Sequence, residues 1–351
     1  MKALVAHGPG QLAVEHLPTP KPNQFQALTR TVSCGICAGT DQKLIDHHFK
    51  GFENYPAAIG HEAIGEVVEV GAKVTSFRPG DLVTLPFLYE PVDGVTPAWG
   101  AFAEYGLVGD AAACAAAGLT PGDPEFDTTY LAQKKIAVTP KLSAVEAAQI
   151  VTLREVYSAV RFFGLRPGQT AVIFGAGPVG LSFTRFAALT GLAEILVVDV
   201  NPAKTAAALA AGATDALDST AADPVAWAAE RVPGGVDVVI DAVGVTALAS
   251  QGLAMIKDRG KVCVYGIAPT SQMNLDWSRA PYNWSLQFQQ FPRKAEEGQA
   301  HAQIIDWIEA GELVLADYIS HVIAFQDVLD AFALVAERRP ETKKIVIAYP
   351  T

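Results

Sequence analysis

The sequence predicts an α/β protein: a β-rich domain at its start, then a doubly wound parallel sheet. Three observations carry that expectation. Short strand-like runs broken by Gly and Pro fill the first third. Continuous Val/Ile runs alternate with helical segments through the middle, the mark of a parallel sheet covered on both faces. A glycine-rich turn, Gly175-Ala176-Gly177-Pro178-Val179-Gly180, joins one such run to the helix after it.

Taken in order, Met1–Ala6, Gln26–Val32, Ala63–Val70 and Asp81–Leu85 read as strands. The last of them follows the turn Arg78-Pro79-Gly80. Together they suggest a small barrel-like domain. Residues 106–132, Ala-rich and then Gly-Asp-Pro, have no period and are expected as an inserted loop or hairpin. Ser143–Val160 reads as a helix, Thr170–Phe174 as a buried strand and Val179–Leu189 as an apolar helix. Strand Glu194–Val200, helix Ala203–Ala211 and strands Val236–Ile240 and Lys261–Gly266 continue the alternation. Trp284–Phe288 reads as a further strand after Pro281. Helix Ala300–Ala310 and strands Ile319–Phe325 and Lys344–Tyr349 are expected to return to the first domain.

The 351 residues are half hydrophobic and 18% charged, which is ordinary globular composition, and the length suits two or three domains. Twenty-six Lys and Arg against 37 Asp and Glu leave a net charge of −11. That acidity argues against nucleic acid as the main partner, because phosphate backbones need a basic face. Apolar stretches are interrupted before the ~20 residues that cross a bilayer, so no membrane partner is expected. Four cysteines do not make a secreted disulfide framework, and the first ten residues do not read as a signal peptide. A reducing, cytoplasmic setting is the default expectation.

The glycine turn has the context that gives G-x-G-x-x-G its meaning: a strand before it and a helix after it. Gly175 permits the tight turn, Gly177 lets a pyrophosphate approach the backbone, and Gly180 lets helix and strand pack closely. Pro178 and Val179 open the helix, whose unpaired N–H groups favour phosphate. Asp199, nineteen residues after Gly180, ends the next strand. A carboxylate there binds an adenosine ribose and repels a 2′-phosphate, so the expected cofactor is NAD. Lys204 lies further on, at the next helix start, and joins the candidate cofactor residues.

Two segments carry metal-type chemistry: Cys34-Gly35-Ile36-Cys37-Ala38-Gly39-Thr40-Asp41 and Gly60-His61-Glu62. Thiolate, imidazole and carboxylate are zinc ligands. Taken alone, the cysteine pair leaves three readings open. It is half of a zinc ribbon, although no second such pair exists; a redox pair, although no thioredoxin-like unit surrounds it; or two cysteines with no shared role.

The ordered set GICAGTD, GHEAIGEVVEVG, RPGDLV, GAFAEY and GAGPVGL with a following VVD resembles the medium-chain, zinc-type alcohol dehydrogenase superfamily, most of all its polyol, sugar and threonine dehydrogenase branch. The resemblance implies a GroES-like catalytic domain (1–157, completed by 291–351) and a Rossmann NAD-binding domain (158–290). It implies hydride transfer between a small alcohol or sugar and a nicotinamide, in a homodimer or homotetramer. Carried over by position, Cys37 and His61 become ligands of one catalytic zinc ion. Glu62 is the acid beside it, Thr40 the hydroxyl that hands on the substrate proton, and Asp41 the acid that orients His61.

Departures from the family pattern are visible. Ala38 is an extra residue before Gly-Thr-Asp. Lys43 stands where the proton relay usually has histidine, with His47 and His48 just beyond. Asp81 to Gly100 holds no cysteine, so no structural zinc is expected. Aligning AAQIVTLREVYSAV puts Val151 where relatives carry a third ligand, with Glu155 one helical turn on as a substitute. Tyr55, Phe87, Tyr89, Trp99, Tyr282 and Trp284 are candidate pocket walls. The alternatives are a zinc-free reductase of the quinone or enoyl type, or a dinucleotide-binding protein without turnover.

Overall fold

The structure, a computed structural model, describes every residue except Pro269, Ser271, Arg338, Pro340 and Thr351. It divides into two compact units, Met1–Arg154 with Arg293–Thr351, and Glu155–Pro292.

The first unit is built on a seven-stranded sheet. Along its main path lie Ile319–Ala324, Lys344–Ala348, Gln26–Gly35, Glu62–Val70, Leu82–Thr84 and Lys135–Ile136, with Tyr105–Gly109 also paired to Gln26–Gly35. A smaller sheet runs Leu12–His16, Lys2–Ala6, Ala57–Ala58 and Thr96–Pro97. The long strand Gln26–Gly35 carries three partners because nearly all of its residues are buried. Its register sets Gly35 opposite Glu62. A Cβ on Gly35 would lie 2.6 Å from Glu62 Oε2, so only glycine leaves room for that carboxylate.

The second unit is a six-stranded sheet in the order Asp215–Asp218, Glu194–Asp199, Thr170–Phe174, Val236–Asp241, Ile256–Val264, Trp284–Phe288, with every neighbour parallel. The order steps outward in one direction from Thr170–Phe174 and then in the other. This is the doubly wound topology, with its ligand crevice at the carboxyl ends of the strands. Asp215–Asp218 was not expected as a strand: its polar DALD is half-buried at the sheet edge.

The expected inserted loop at 106–132 is corrected. It opens with strand Tyr105–Gly109 and continues as helix Ala111–Ala116 and a 3₁₀ turn Thr128–Leu131. Asp110 holds the helix start, with Oδ1 accepting from Ala112 and Ala113 N–H and Oδ2 from Thr75 and Ser76 N–H. Ala113 and Cys114 then pack on Phe25, Phe126 and Tyr130. An alanine run shows no period because its small side chains suit either face. Two helices also differ from expectation. The one expected from Ser143 is a 3₁₀ turn Glu146–Ala148 followed by Gln149–Phe163. The one expected from Ala300 starts at Lys294, where Glu296 Oε2 reaches back to accept the Arg293 N–H at 3.3 Å.

Candidate metal centre and dinucleotide site

In the first unit, Cys37 follows the end of strand Gln26–Gly35, and His61 precedes strand Glu62–Val70, which pairs with it. That pairing brings donor atoms of Cys37, His61 and Glu62 within 4.8 Å of one another. Helix Thr40–Ile45 begins just beyond, with Thr40 and Asp41 buried at its first turn. The extra Ala38 is taken up before the helix starts, so Asp41 still faces the centre. Asp41 Oδ2 accepts the Cys37 N–H at 2.9 Å. Asp41 Oδ1 lies 3.4 Å from His61 Nδ1, and neither atom has another hydrogen-bond partner. This pair turns His61 Nε2 toward the Glu62 side, 4.0 Å from Oε1. Burial alone pushes the imidazole pKa down, but hydrogen bonding to Asp41 and Cys37 outweighs it and raises the pKa well above the usual value.

Glu62 is held from two further elements. Lys344 Nζ donates to its Oε2 at 2.6 Å and Oε1 at 2.9 Å, and the Thr152 hydroxyl donates to Oε1 at 2.9 Å. Lys344 and Glu62 are 5% and 1% exposed, so both charges are inside the protein. Burial lowers the Lys344 pKa, and the Glu62 charge more than reverses that, leaving it raised. Val151, at the family's third-ligand position, is buried in the apolar core. Its neighbour Thr152 reaches Glu62 instead.

Lys43 is half-buried on the same short helix as Thr40, and burial lowers its pKa against the opposing Cys37 charge. Trp99 packs beside the centre, its ring centroid 5.2 Å from that of His61. Its φ is 65°, a left-handed conformation that is a genuine outlier for a bulky residue.

Donor set and surroundings fit a zinc ion: three ligand types suited to it, a buried imidazole oriented by an otherwise unpartnered carboxylate oxygen, and room in the carboxylate's lone pairs. Cys37, His61 and Glu62 form the cluster, and Glu155 is not part of it.

In the second unit, Gly175 has φ 98° and donates its N–H to Val198 O at 2.7 Å. Gly177 caps helix Pro178–Thr190 without a capping side chain, and a Cβ on it would meet nothing within 4 Å. The backbone at Gly177 is thus open to close approach at the helix start, as pyrophosphate binding requires. A Cβ on Gly180 would sit 1.8 Å from Gly175 O, which explains the third glycine. Pro178 and Val179 form the half-buried first turn. Asp199 is buried at its strand end, accepting the Ala176 N–H at 2.7 Å and the Asn201 N–H at 2.8 Å. Lys204 is nearer than its place in the sequence suggests, with Nζ 4.0 Å from Asp199 Oδ2. Asp241 ends the neighbouring strand and binds the Val243 and Gly244 N–H groups; burial raises its pKa against those bonds. These residues fit a dinucleotide.

Residues 23–119 match the family model of the alcohol dehydrogenase GroES-like domain, and residues 178–308 match that of the zinc-binding dehydrogenase. The chain belongs to the zinc-type medium-chain alcohol dehydrogenase superfamily. Sorbitol dehydrogenase of Bacillus subtilis (strain 168) is 30% identical over 292 residues, 79% of this chain and 78% of the relative. Glucose 1-dehydrogenase of Thermoproteus tenax is 32% identical over 276 residues, covering 74% of this chain and 73% of its own length. The crystal structure of 2R,3R-butanediol dehydrogenase from Bacillus subtilis has the same fold, with a TM-score of 0.80 at 22% identity over 100% of this chain and 99% of that one.

As a dehydrogenase of this superfamily, the chain departs from sequence expectation at Lys344 and Thr152, which sequence reasoning did not find. Lys344 had a faint signal, a charge opening an otherwise apolar KIVIA strand. Thr152 had none beyond its place next to Val151. Tyr282 is fully exposed on its unit and Trp284 lies on the edge strand.

Proposed function

We propose that the enzyme moves a hydride between a secondary alcohol (polyol, sugar or cyclitol-like) and NAD, assisted by one zinc ion at Cys37, His61 and Glu62. The observation that carries this is the convergence of those three donors with Asp41 behind His61. The sorbitol and glucose dehydrogenase relatives support the substrate class. Asp199 supports NAD over NADP, since a 2′-phosphate beside its buried carboxylate sets two like charges together.

Zinc supplies Lewis acidity that makes an alcohol oxygen easier to deprotonate, and the nicotinamide accepts the hydride. The residues do the rest. Asp41 holds the His61 ring in the orientation that leaves Nε2 free to ligate. Lys344 and Thr152 fix the Glu62 carboxylate. The Thr40 hydroxyl takes the alcohol proton while giving up its own toward solvent, on the side of the helix where Lys43, one turn along, follows it. The strand Trp284–Phe288 forms an open sheet edge with Phe288 half exposed, which supports pairing with a second copy in a homodimer or homotetramer. The four cysteines are unpaired, in keeping with a reducing cytoplasm.

The deciding experiment follows NADH absorbance with a panel of secondary alcohols and polyols, with and without a chelator, alongside metal analysis. Turnover that survives complete metal removal establishes the zinc-free reading that Val151 favours. Sedimentation of a monomer at micromolar concentration refutes the oligomer.

A further inference from the structure

We infer that Trp99 selects the substrate, and that the alcohol this enzyme takes is cyclic, its six-membered ring lying against the Trp99 indole. The inference rests on the alcohol dehydrogenase reading above and narrows it.

The indole stands next to the reacting centre, 5.2 Å from the His61 ring and tilted 48° to it. Phe49 meets the indole edge-on, at 5.8 Å and 82°, so the two rings make a corner of perpendicular aromatic surfaces. Both are half-buried and rest on the same apolar core as Cys34 and Val151, which keeps the corner rigid. An alcohol oxygen held by Cys37, His61 and Glu62 therefore lies about one imidazole away from the indole, a distance that a six-membered ring spans.

The backbone is bent to put the indole there. Trp99 and Gly100 are consecutive left-handed residues, at φ 65° and 71°. Hydrogen bonds hold them on both sides: Leu88 N–H to Trp99 O at 2.8 Å, Ala98 N–H to Ala58 O at 2.7 Å and Ala101 N–H to Gly60 O at 3.0 Å. A bulky residue kept in that conformation by its surroundings points to a use for its side chain. A flat indole face stacks on the C–H face of a ring, whether carbocycle, cyclitol or pyranose. An open-chain polyol turns hydroxyls toward the same face, where aromatic carbon offers them no partner.

The test compares cyclohexanol with 2-hexanol, and 1,2-cyclohexanediol with 2,3-hexanediol, as kcat/KM ratios for wild type, Trp99→Phe and Trp99→Leu. Wild type is expected to prefer the ring. Trp99→Leu should cut that preference roughly tenfold, and Trp99→Phe should keep most of it. Equal kcat/KM for ring and chain in wild type overturns the inference, as does a preference unchanged in a folded Trp99→Leu variant. Ligand-observed NMR of the same alcohols with protein and NADH reads the preference without turnover. If no alcohol is oxidised, the catalytic reading fails. Ring-selective binding lost in Trp99→Leu still upholds the role of Trp99, and equal binding of ring and chain still refutes it.

Discussion

Replacing Lys344 by Met asks how much the first unit depends on one buried charge. Lys344 donates to both oxygens of Glu62, at 2.6 and 2.9 Å, and the two side chains are 5% and 1% exposed. In Lys344→Met the only hydrogen bond left to the Glu62 carboxylate is that of the Thr152 hydroxyl at 2.9 Å, with His61 Nε2 at 4.0 Å too far to replace the two lost bonds. Breaking such a pair from one side costs about 3–5 kcal/mol, because the remaining charge is buried without compensation. For a unit of this size that corresponds to a fall of about 10 °C in Tm. Glu62→Gln combined with Lys344→Met removes both charges and should restore most of the loss, since it is the orphaned charge that destabilises rather than the missing bond. The assay is thermal and urea unfolding of chelated protein for the two single variants and the double. A Lys344→Met shift under 2 °C, or a double variant as unstable as the sum of the singles, refutes the reasoning.

Three further outcomes are expected. Burial, and after it the Arg154 charge, hold the His301 pKa down to about 3, so the folded protein keeps that ring neutral where the unfolded chain protonates near 6.5. Its contribution is intact above pH 6.5 and is lost as pH falls toward 3, reaching about 2 kcal/mol by pH 5. Urea midpoints of wild type and His301→Gln should converge over that window, and a constant difference between pH 7 and 5 contradicts it. Cys37→Ala should lose bound zinc and turnover together while NADH binding, measured by fluorescence, is unchanged; retained stoichiometric zinc refutes the ligand assignment. Asp199→Ser should relax the preference for NAD over NADP by roughly tenfold or more, the Lys204 ammonium then being free to meet a 2′-phosphate. A wild type that prefers NADP contradicts this.

The dinucleotide turn was legible in the sequence because its chemistry is local: three glycines, a strand and a helix lie within about a dozen residues, and Asp199 follows at a fixed offset. Cys37, His61, Glu62 and Asp41 were legible because each sits in a short run with recognisable neighbours. Lys344 was not, since a Lys at the start of KIVIA reads as an ordinary exposed strand end. Only the placement of that strand against Gln26–Gly35 turns it toward Glu62. The helix Ala111–Ala116 escaped because alanine carries no amphipathic signal, and its start is set by Asp110, Thr75 and Ser76, which the fold brings together from two segments.

Lys344 is translated 282 residues after Glu62. At ordinary ribosomal speeds that separation is roughly 15–60 s. Throughout that time the Glu62 carboxylate lacks its cationic partner, and the edge of Gln26–Gly35 later filled by Lys344–Ala348 stands open. The second unit, whose residues are contiguous, has everything it needs to fold while the first still waits. The residues of the dinucleotide-binding unit are therefore all made before the last two strands of the first unit's sheet, Ile319–Ala324 and Lys344–Ala348.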